Sequence, residues 1–113
     1  MLSNVIILEK GRFEIITNGK DAFYVNMKSS LKRCGGIGDV LSGNVALFAY
    51  YGLEYHKQTE TDLQNSLMYS CIGASLLTKL ASHLAFEEKK RSLTAPFVAL
   101  KLSDAFQQIF NLD

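Results

Sequence analysis

A glycine-rich stretch separates two differently patterned parts of this chain. Arg33–Asn44 reads RCGGIGDVLSGN, and Asp39 directly follows glycines at positions 35, 36 and 38. Glycine lets successive backbone N–H groups point the same way and lets a ligand approach the main chain. A helix that begins near Gly38 would add its unpaired N–H groups and its dipole, so the pattern suits an anion site. It suits equally an ordinary loop in which Asp39 only complements the helix dipole.

Two well-known glycine patterns do not match this stretch. A P-loop would place Gly-Lys-Ser/Thr at this point, and the chain continues instead with Asp39 and Val40. The dinucleotide-binding pattern Gly-x-Gly-x-x-Gly is also missing from the stretch. If a phosphate binds here, the carboxylate of Asp39 would not hold it but could take a proton from a hydroxyl that attacks phosphorus. Ser42 and Asn44, one turn further along, could bond to phosphate or to solvent.

The residues before the stretch have the pattern of short strands. We predict strands at Asn4–Leu8, Arg12–Thr17 and Ala22–Met27, because each is rich in β-branched or aromatic residues. Asn18-Gly19 separates the last two strands and is a strong signal for a two-residue hairpin turn. The first quarter of the chain therefore predicts three strands that include a β-hairpin.

The residues after the stretch have a helical pattern. Gly52 is placed as a C-terminal cap, Leu53–Glu60 as a connector, and Thr61 with Gln64 has capping-box spacing. Two of the helices are apolar around much of their circumference, which is typical of helices inside a larger body. A missing N-terminal segment or a homo-oligomer would cover them. The three predicted helices run from Asp39 to Tyr51, from after Thr61 to about Phe86, and over Pro96–Phe110, with Ser92 or Thr94 as the cap of the last.

Composition restricts the classes of partner and location. A chain of 113 residues predicts a single domain over 1–113, and a net charge of +1 predicts no binding to nucleic acid. The apolar helices are too short or too interrupted to cross a membrane. Cys34 and Cys71 lie far apart without metal-type spacing, which favours a reducing compartment. We therefore expect a cytoplasmic location, with mitochondria as the alternative.

Four separate stretches resemble one family of enzymes. They read EKGRFEII, SSLKRCGGIGDVLSG, GASLLTKLASHLAFEEKKRSLTA and AFQQIF, and they follow one another in the family's order over nearly the whole chain. The family is that of the eukaryotic ATP-dependent NAD(P)H-hydrate dehydratases, a branch of the ribokinase-like superfamily. The resemblance implies an α/β fold, specifically the C-terminal part of a ribokinase-like α/β/α fold with a β-hairpin and three helices. It also implies a partial carbohydrate-kinase-like domain, because family members are two to three times longer.

The resemblance further implies a reaction and a set of contacts. The family restores hydrated NADH or NADPH, a small-molecule substrate, while ATP is cleaved and Mg²⁺ bridges the phosphates; we identify no Mg²⁺ ligand. Asp39 would meet the hydrate and act as the base. We call residues 29–38 the glycine loop. The residues that would contact ATP are Lys10, Gly11, Arg12, Phe13, Glu14, Ser29, Ser30, Leu31, Lys32, Arg33, Cys34, Gly35, Gly36, Ile37 and Gly38.

Two other functions stay open beside this one. Gly-x-Gly-Asp alone serves phosphoryl transfer generally, so a small-molecule kinase of the same superfamily would carry it too. The chain could also be a truncated remnant or an oligomerising fragment without catalysis. After Thr94 the family tends to continue with Thr/Ser-Asp, whereas this chain has Ala95-Pro96, which weakens a polar role for that loop.

Overall fold

The computed structural model describes residues 4–32 and 34–110. Contacts between Cα atoms divide the chain into two compact units. Unit 1 comprises Met1–Asn26 and Val45–Ser75, and unit 2 comprises Met27–Asn44 and Leu76–Asp113. We describe each unit by itself, and the assignment of residues 1–113 to one domain stays a prediction.

The described residues form a small sheet followed by helices. This order confirms the expected partial α/β architecture. The strands are β1 (Ile7–Glu9), β2 (Glu14–Thr17) and β3 (Ala22–Val25), and the helices are α1 (Ile37–Thr59), α2 (Leu63–Lys89), α3 (Ala95–Leu100) and α4 (Leu102–Phe110), with a 3₁₀ turn at Lys90–Ser92.

All three strands belong to unit 1 and form an antiparallel sheet in the order β1-β2-β3. In the register, Ile16 of β2 lies opposite Leu8 on one side and opposite Phe23 on the other. Ile16 is completely buried on the same face of β2 as Glu14, whereas Ile15 on the opposite face is half-buried and β1 is mainly exposed. Each observed strand is shorter than its predicted range, since pairing covers only part of the apolar pattern.

The loop between β2 and β3 has four residues, 18–21, because Thr17 pairs with Ala22, so the predicted two-residue turn is wrong. The two residues that signalled the turn act differently in it. Gly19 takes the positive φ of 92°. Asn18 instead uses its side chain, whose Oδ1 accepts hydrogen bonds from the backbone N–H groups of Lys20 and Asp21 at 2.9 and 2.8 Å. Its Nδ2 donates to Oε1 of Gln64 at 3.0 Å, so the turn is also bonded to the start of α2.

The first helix is longer than predicted, and Gly52 does not cap it. α1 continues through Gly52 to Thr59, so the predicted connector Leu53–Glu60 is wrong. A Cβ at Gly52 would clash with the side chain of Ser70 and lie 3.0 Å from the carbonyl oxygen of Ser66, so this glycine lets α2 approach closely. Glu60 ends the helix instead, with a φ of 57° and its N–H bonded to the carbonyl of His56 at 3.1 Å.

The other helix ends also differ from expectation. Asp62 caps α2 by accepting a bond from the N–H of Asn65 at 3.0 Å, so the capping box of Thr61 and Gln64 is wrong. The predicted last helix is divided at Lys101 into α3 and α4. Thr94 is its N-cap residue, without a bond from its side chain, and Pro96 lies in the first turn as expected.

Both units have buried apolar side chains, but unit 2 has more of them. In unit 1 the buried apolar residues are Ile16, Val25, Phe48, Met68 and Ala74, and in unit 2 they are Leu41, Leu77, Ala81, Ala85, Phe86, Leu93, Val98 and Ala105. In the described part of the chain, we find no helix with the length and apolar character needed to span a membrane.

Candidate functional site

The glycine loop of unit 2 leads directly into α1. Gly36 has a φ of 99°, and its carbonyl accepts bonds from the N–H groups of Asp39 and Val40 at 3.1 and 3.2 Å. The helix therefore starts at Ile37, two residues before the predicted start at Asp39. The first N–H groups of a helix have no partner within it. Those of Ile37 and Gly38 thus lie where an anion could accept hydrogen bonds.

The two neighbouring glycines of this loop have different surroundings. A Cβ on Gly36 would come within 2.8 Å of the Cβ of Ala95, so the loop packs tightly on the start of α3. A Cβ on Gly35 would meet nothing within 4 Å. One side of the loop is therefore packed, and the other has room for a ligand at the main chain.

Asp39 lies exposed in the first turn of α1. Its carboxylate complements the helix dipole and can also accept a proton. The two polar residues that follow point elsewhere. Ser42 donates to the carbonyl of Gly38 at 2.9 Å, and the buried Asn44 donates to the hydroxyl of Thr78 at 2.8 Å. Both bonds are internal to the protein, and a contact of either residue with phosphate stays an open question.

The first half of the glycine loop is partly built into the protein. The hydroxyl of Ser30 accepts from the N–H of Lys32 at 2.9 Å and donates to its carbonyl at 2.6 Å. Ser29 and Cys34 are half-buried, and Leu31 is 77% exposed. Arg33 lies outside the described residues.

The remaining candidate ATP contacts belong to unit 1. Lys10, Gly11, Arg12 and Phe13 are exposed between β1 and β2. Glu14 is 7% exposed and begins β2, where it pairs with Val25. Glu14 thus lies on the buried face of the strand, unlike its four neighbours. Contacts of all these residues with ATP stay predictions.

The described residues do not provide an obvious metal centre. Within 4–32 and 34–110, no three His, Cys, Asp or Glu side chains come close enough together to hold a metal ion. The acids of the two candidate regions, Glu14 and Asp39, belong to different units. We therefore assign no Mg²⁺ ligand and derive no step through the metal.

A comparison with known families identifies the chain. The family model described as NAD(P)H-hydrate dehydratase, of the carbohydrate-kinase type, matches residues 1–104. The chain belongs to this family. The glycine loop and Asp39 thus lie within the matched region of a NAD(P)H-hydrate dehydratase family member.

Curated relatives carry a more specific name. The ATP-dependent (S)-NAD(P)H-hydrate dehydratase of Rattus norvegicus is 34% identical over 109 residues, which are 96% of this chain and 32% of that protein. The enzyme of the same name from Arabidopsis thaliana is 35% identical over 108 residues, which are 96% of this chain and 30% of that protein. That from Entamoeba histolytica is 36% identical, with 97% and 35% covered. The chain therefore spans about a third of these relatives' length.

Sequence reasoning missed the contacts that support the glycine loop from behind. The family resemblance implies that Lys32 contacts ATP, yet its ammonium donates hydrogen bonds to the backbone carbonyls of Arg91 and Leu93. Ala95 was noted only because it replaces a polar residue of the family, yet its methyl group packs on Gly36. The small side chain at position 95 was the available signal, because only a small residue fits against a tightly packed glycine. Nothing local in the sequence relates Lys32 to residues about sixty positions away.

Proposed function

We propose that this chain contributes the phosphate-binding loop and the base of an ATP-dependent NAD(P)H-hydrate dehydratase. The observation that carries the proposal is the geometry at the start of α1. There Gly36 turns the chain with a φ of 99°, the main chain at Gly35 is open, and Asp39 is exposed one turn into the helix. Membership of the family and the names of the curated relatives support the choice of reaction.

The proposed roles divide between backbone and carboxylate. The N–H groups of Ile37 and Gly38, with the helix dipole, hold the transferring phosphate and stabilise its growing negative charge. Asp39 accepts the proton of the hydrate's hydroxyl while that oxygen bonds to the γ-phosphorus and ADP departs. In the second step the carbon–oxygen bond breaks, the adjacent carbon loses a proton, and free phosphate leaves. The restored carbon–carbon double bond is that of NADH or NADPH.

The test uses Asp39→Asn, which keeps the shape of the side chain and removes its basicity. We expect turnover to fall by about 10²- to 10⁴-fold, the usual contribution of a general base. ATP affinity should stay the same or increase, because a negative charge beside the phosphates is removed. The assays are the absorbance of the restored reduced nicotinamide and an ATP titration. Undiminished turnover in Asp39→Asn would exclude Asp39 as the base.

The same assays separate the dehydratase from a small-molecule kinase. A dehydratase releases free phosphate together with NADH or NADPH, whereas a kinase leaves a stable phosphorylated product. Incubation of the chain with ATP and hydrated NADH, followed by analysis of both products, distinguishes them. A phosphorylated compound that accumulates would favour the kinase.

A non-catalytic remnant or oligomerising fragment is the second candidate, and one observation favours it. Unit 1 exposes many large apolar side chains. A second copy of the chain would cover such a surface. An ATP titration of the 113-residue chain, with its solution mass measured alongside, decides the matter. A monomeric, folded chain that does not bind ATP would favour the remnant.

A further inference from the structure

The glycine loop is held from behind by one short segment of unit 2. We call residues 91–95, which join the 3₁₀ turn to α3, the connecting segment. It meets the loop at two places, the ammonium group of Lys32 and the backbone of Gly36. Gly36 directly precedes Ile37 and Gly38, whose N–H groups would bind phosphate.

The contact at Lys32 joins a charge to two backbone oxygens. The Nζ of Lys32 donates to the carbonyl of Arg91 at 2.5 Å and to that of Leu93 at 3.2 Å. Arg91 lies in the 3₁₀ turn, and Leu93 is its C-terminal cap. The last carbonyls of a helical turn lack partners within it and carry partial negative charge, so a lysine ammonium stabilises them. Leu93 itself is completely buried, which fixes this anchor in the core of unit 2.

The second contact, at Gly36, restricts the backbone of the loop on its C-terminal side. Its positive φ is one that other residues rarely adopt, and Ala95 occupies the space that a side chain would need. The connecting segment therefore restrains the loop both before and after residues 34 and 35. Just before the first contact, the hydroxyl of Ser30 makes two hydrogen bonds to the backbone of Lys32.

We propose that Lys32 is a positioning residue, which holds the phosphate-binding loop in its binding conformation through the carbonyls of Arg91 and Leu93. Two of its three N–H donors are already engaged in these bonds, so its role differs from the direct ATP contact that the family resemblance implies. The proposal rests on the proposed function for the identity of the ligand only. The positioning of the loop is a property of the ATP-free chain.

The experiment compares amide hydrogen exchange in the ATP-free chain with ATP affinity. Lys32→Met removes the ammonium and keeps the aliphatic stem, and Lys32→Arg retains a cation with several donors. Lys28→Met is the matched control, because Lys28 is an exposed lysine just before the loop. We expect Lys32→Met to speed exchange at Asp39 and Val40, whose N–H groups bond to the carbonyl of Gly36, about tenfold and to raise the Kd for ATP by a similar factor. Exchange in β2 and β3 should be unchanged, Lys32→Arg should recover most of the protection, and Lys28→Met should behave as the wild type.

Each other result has a definite meaning. Weaker ATP binding with unchanged exchange at Asp39 and Val40 would show that Lys32 contacts ATP directly, which overturns the proposal and leaves the proposed function intact. Faster exchange throughout both units would show a general loss of stability and would also overturn it. Faster exchange confined to Asp39 and Val40, in a chain that does not bind ATP, would support the positioning role and count against the proposed function. If Lys32→Met does not fold, Lys32→Gln, which keeps one donor without the charge, gives the same comparison.

Discussion

Unit 2 buries Leu93 and Val98 completely, whereas unit 1 leaves several large apolar side chains of α1 in contact with solvent. In the described part of the chain, unit 2 exposes few such residues: Leu31, Leu100 and Phe110. Those of unit 1 are Val5, Ile7, Phe13, Phe23, Tyr24, Leu47, Tyr50, Tyr51, Leu53, Tyr55, Leu63 and Tyr69. Soluble monomers seldom expose so much apolar surface unless it binds something. Unit 2, which carries the glycine loop, thus exposes few large apolar side chains. Unit 1, which carries the sheet, exposes many, and this surface is of the kind that binds a partner.

The largest expected effect tests whether unit 2 is a packed core. Leu93→Ala should lower the free energy of unfolding by about 2–5 kcal/mol, because a fully buried leucine is replaced by a cavity. Tyr50→Ala, at a side chain that is 58% exposed in unit 1, should change it by about 0.5 kcal/mol or less. Urea denaturation measures both. Equal losses in the two variants would contradict the contrast between the buried Leu93 and the exposed Tyr50.

A second pair of changes compares two glycines of the same helix. Gly52→Ala should destabilise the chain by about 1–3 kcal/mol, because the new methyl group meets Ser70 and the carbonyl of Ser66. Gly43→Ala should stabilise it by about 0.5–1 kcal/mol, because Gly43 is exposed inside α1 and has open space around it. Thermal unfolding of both variants checks the signs. A neutral Gly52→Ala would mean that the close approach of α1 and α2 in unit 1 is not needed.

The exposed surface of unit 1 can be tested at one stripe of α1. Leu47, Tyr50, Tyr51 and Tyr55 are spaced i, i+3, i+4 and i+8, so they lie along one face of the helix, and each is exposed. Replacing Tyr50 and Tyr55 by serine should reduce self-association, measured by light scattering, and binding of a hydrophobic dye. Stability should change by no more than about 1 kcal/mol. Leu100→Ser in unit 2 is the control, since its exposed side chain is not part of the stripe; an equal reduction there would argue against a specific surface.

The smallest expected effect concerns an ion pair on unit 2. Nζ of Lys101 lies 2.6 Å from Oε2 of Glu88. The hydrogen bond to Lys101 lowers the pKa of the Glu88 carboxyl below its usual 4.5, and the bond to Glu88 raises the pKa of the Lys101 ammonium above its usual 10.5. A lowered carboxyl pKa means that this stabilisation is present above about pH 4.5 and is lost as the pH falls through the lower folded pKa. The contribution of Lys101 is present below about pH 10.5 and is lost as the pH rises through the higher folded pKa.

Because Glu88 is exposed and Lys101 is only partly buried, the effect of this pair should be small and sensitive to salt. We expect Glu88→Gln to lower the Tm slightly at neutral pH and low salt, and to make no difference in strong acid. The Lys101→Met background is the control, since Glu88→Gln should have no effect once the partner is removed. A Tm difference that persists at high salt would show that Glu88 stabilises the chain in some other way.

Local pattern predicted the part of the site that depends on local geometry. The spacing of Gly35, Gly36 and Gly38 before Asp39 indicated a loop that enters a helix, and the structure places the start of α1 within two residues of the expected position. The hairpin at Gly19 followed from the same kind of information, because positive φ favours glycine. Whether these residues bind ATP and the hydrate stays a proposal, because binding depends on groups beyond a single loop.

Distant contacts explain what the sequence misjudged. Glycine often follows the end of a helix, yet α1 continues through Gly52. The missing side chain of Gly52 instead leaves room for Ser66 and Ser70 of α2. The actual C-terminal turn is at Glu60, a residue with no intrinsic preference for its φ of 57°. In the same way, Lys32 has the chemistry of a phosphate ligand, yet its ammonium bonds to the carbonyl of Arg91, and this contact is the basis of the positioning role that we propose.

The sequence by itself determined the family, the order of strands and helices, and the glycine loop with Asp39, because these depend on short-range spacing and on residue chemistry. Only the tertiary structure decided where the helices end, which side of the loop is packed, and where the ammonium of Lys32 lies. These features arise from contacts between residues far apart in the chain, and a local pattern does not contain them. The apolar surface of unit 1 depends on both. The sequence predicts apolar helices, and the tertiary structure shows which of their side chains stay exposed.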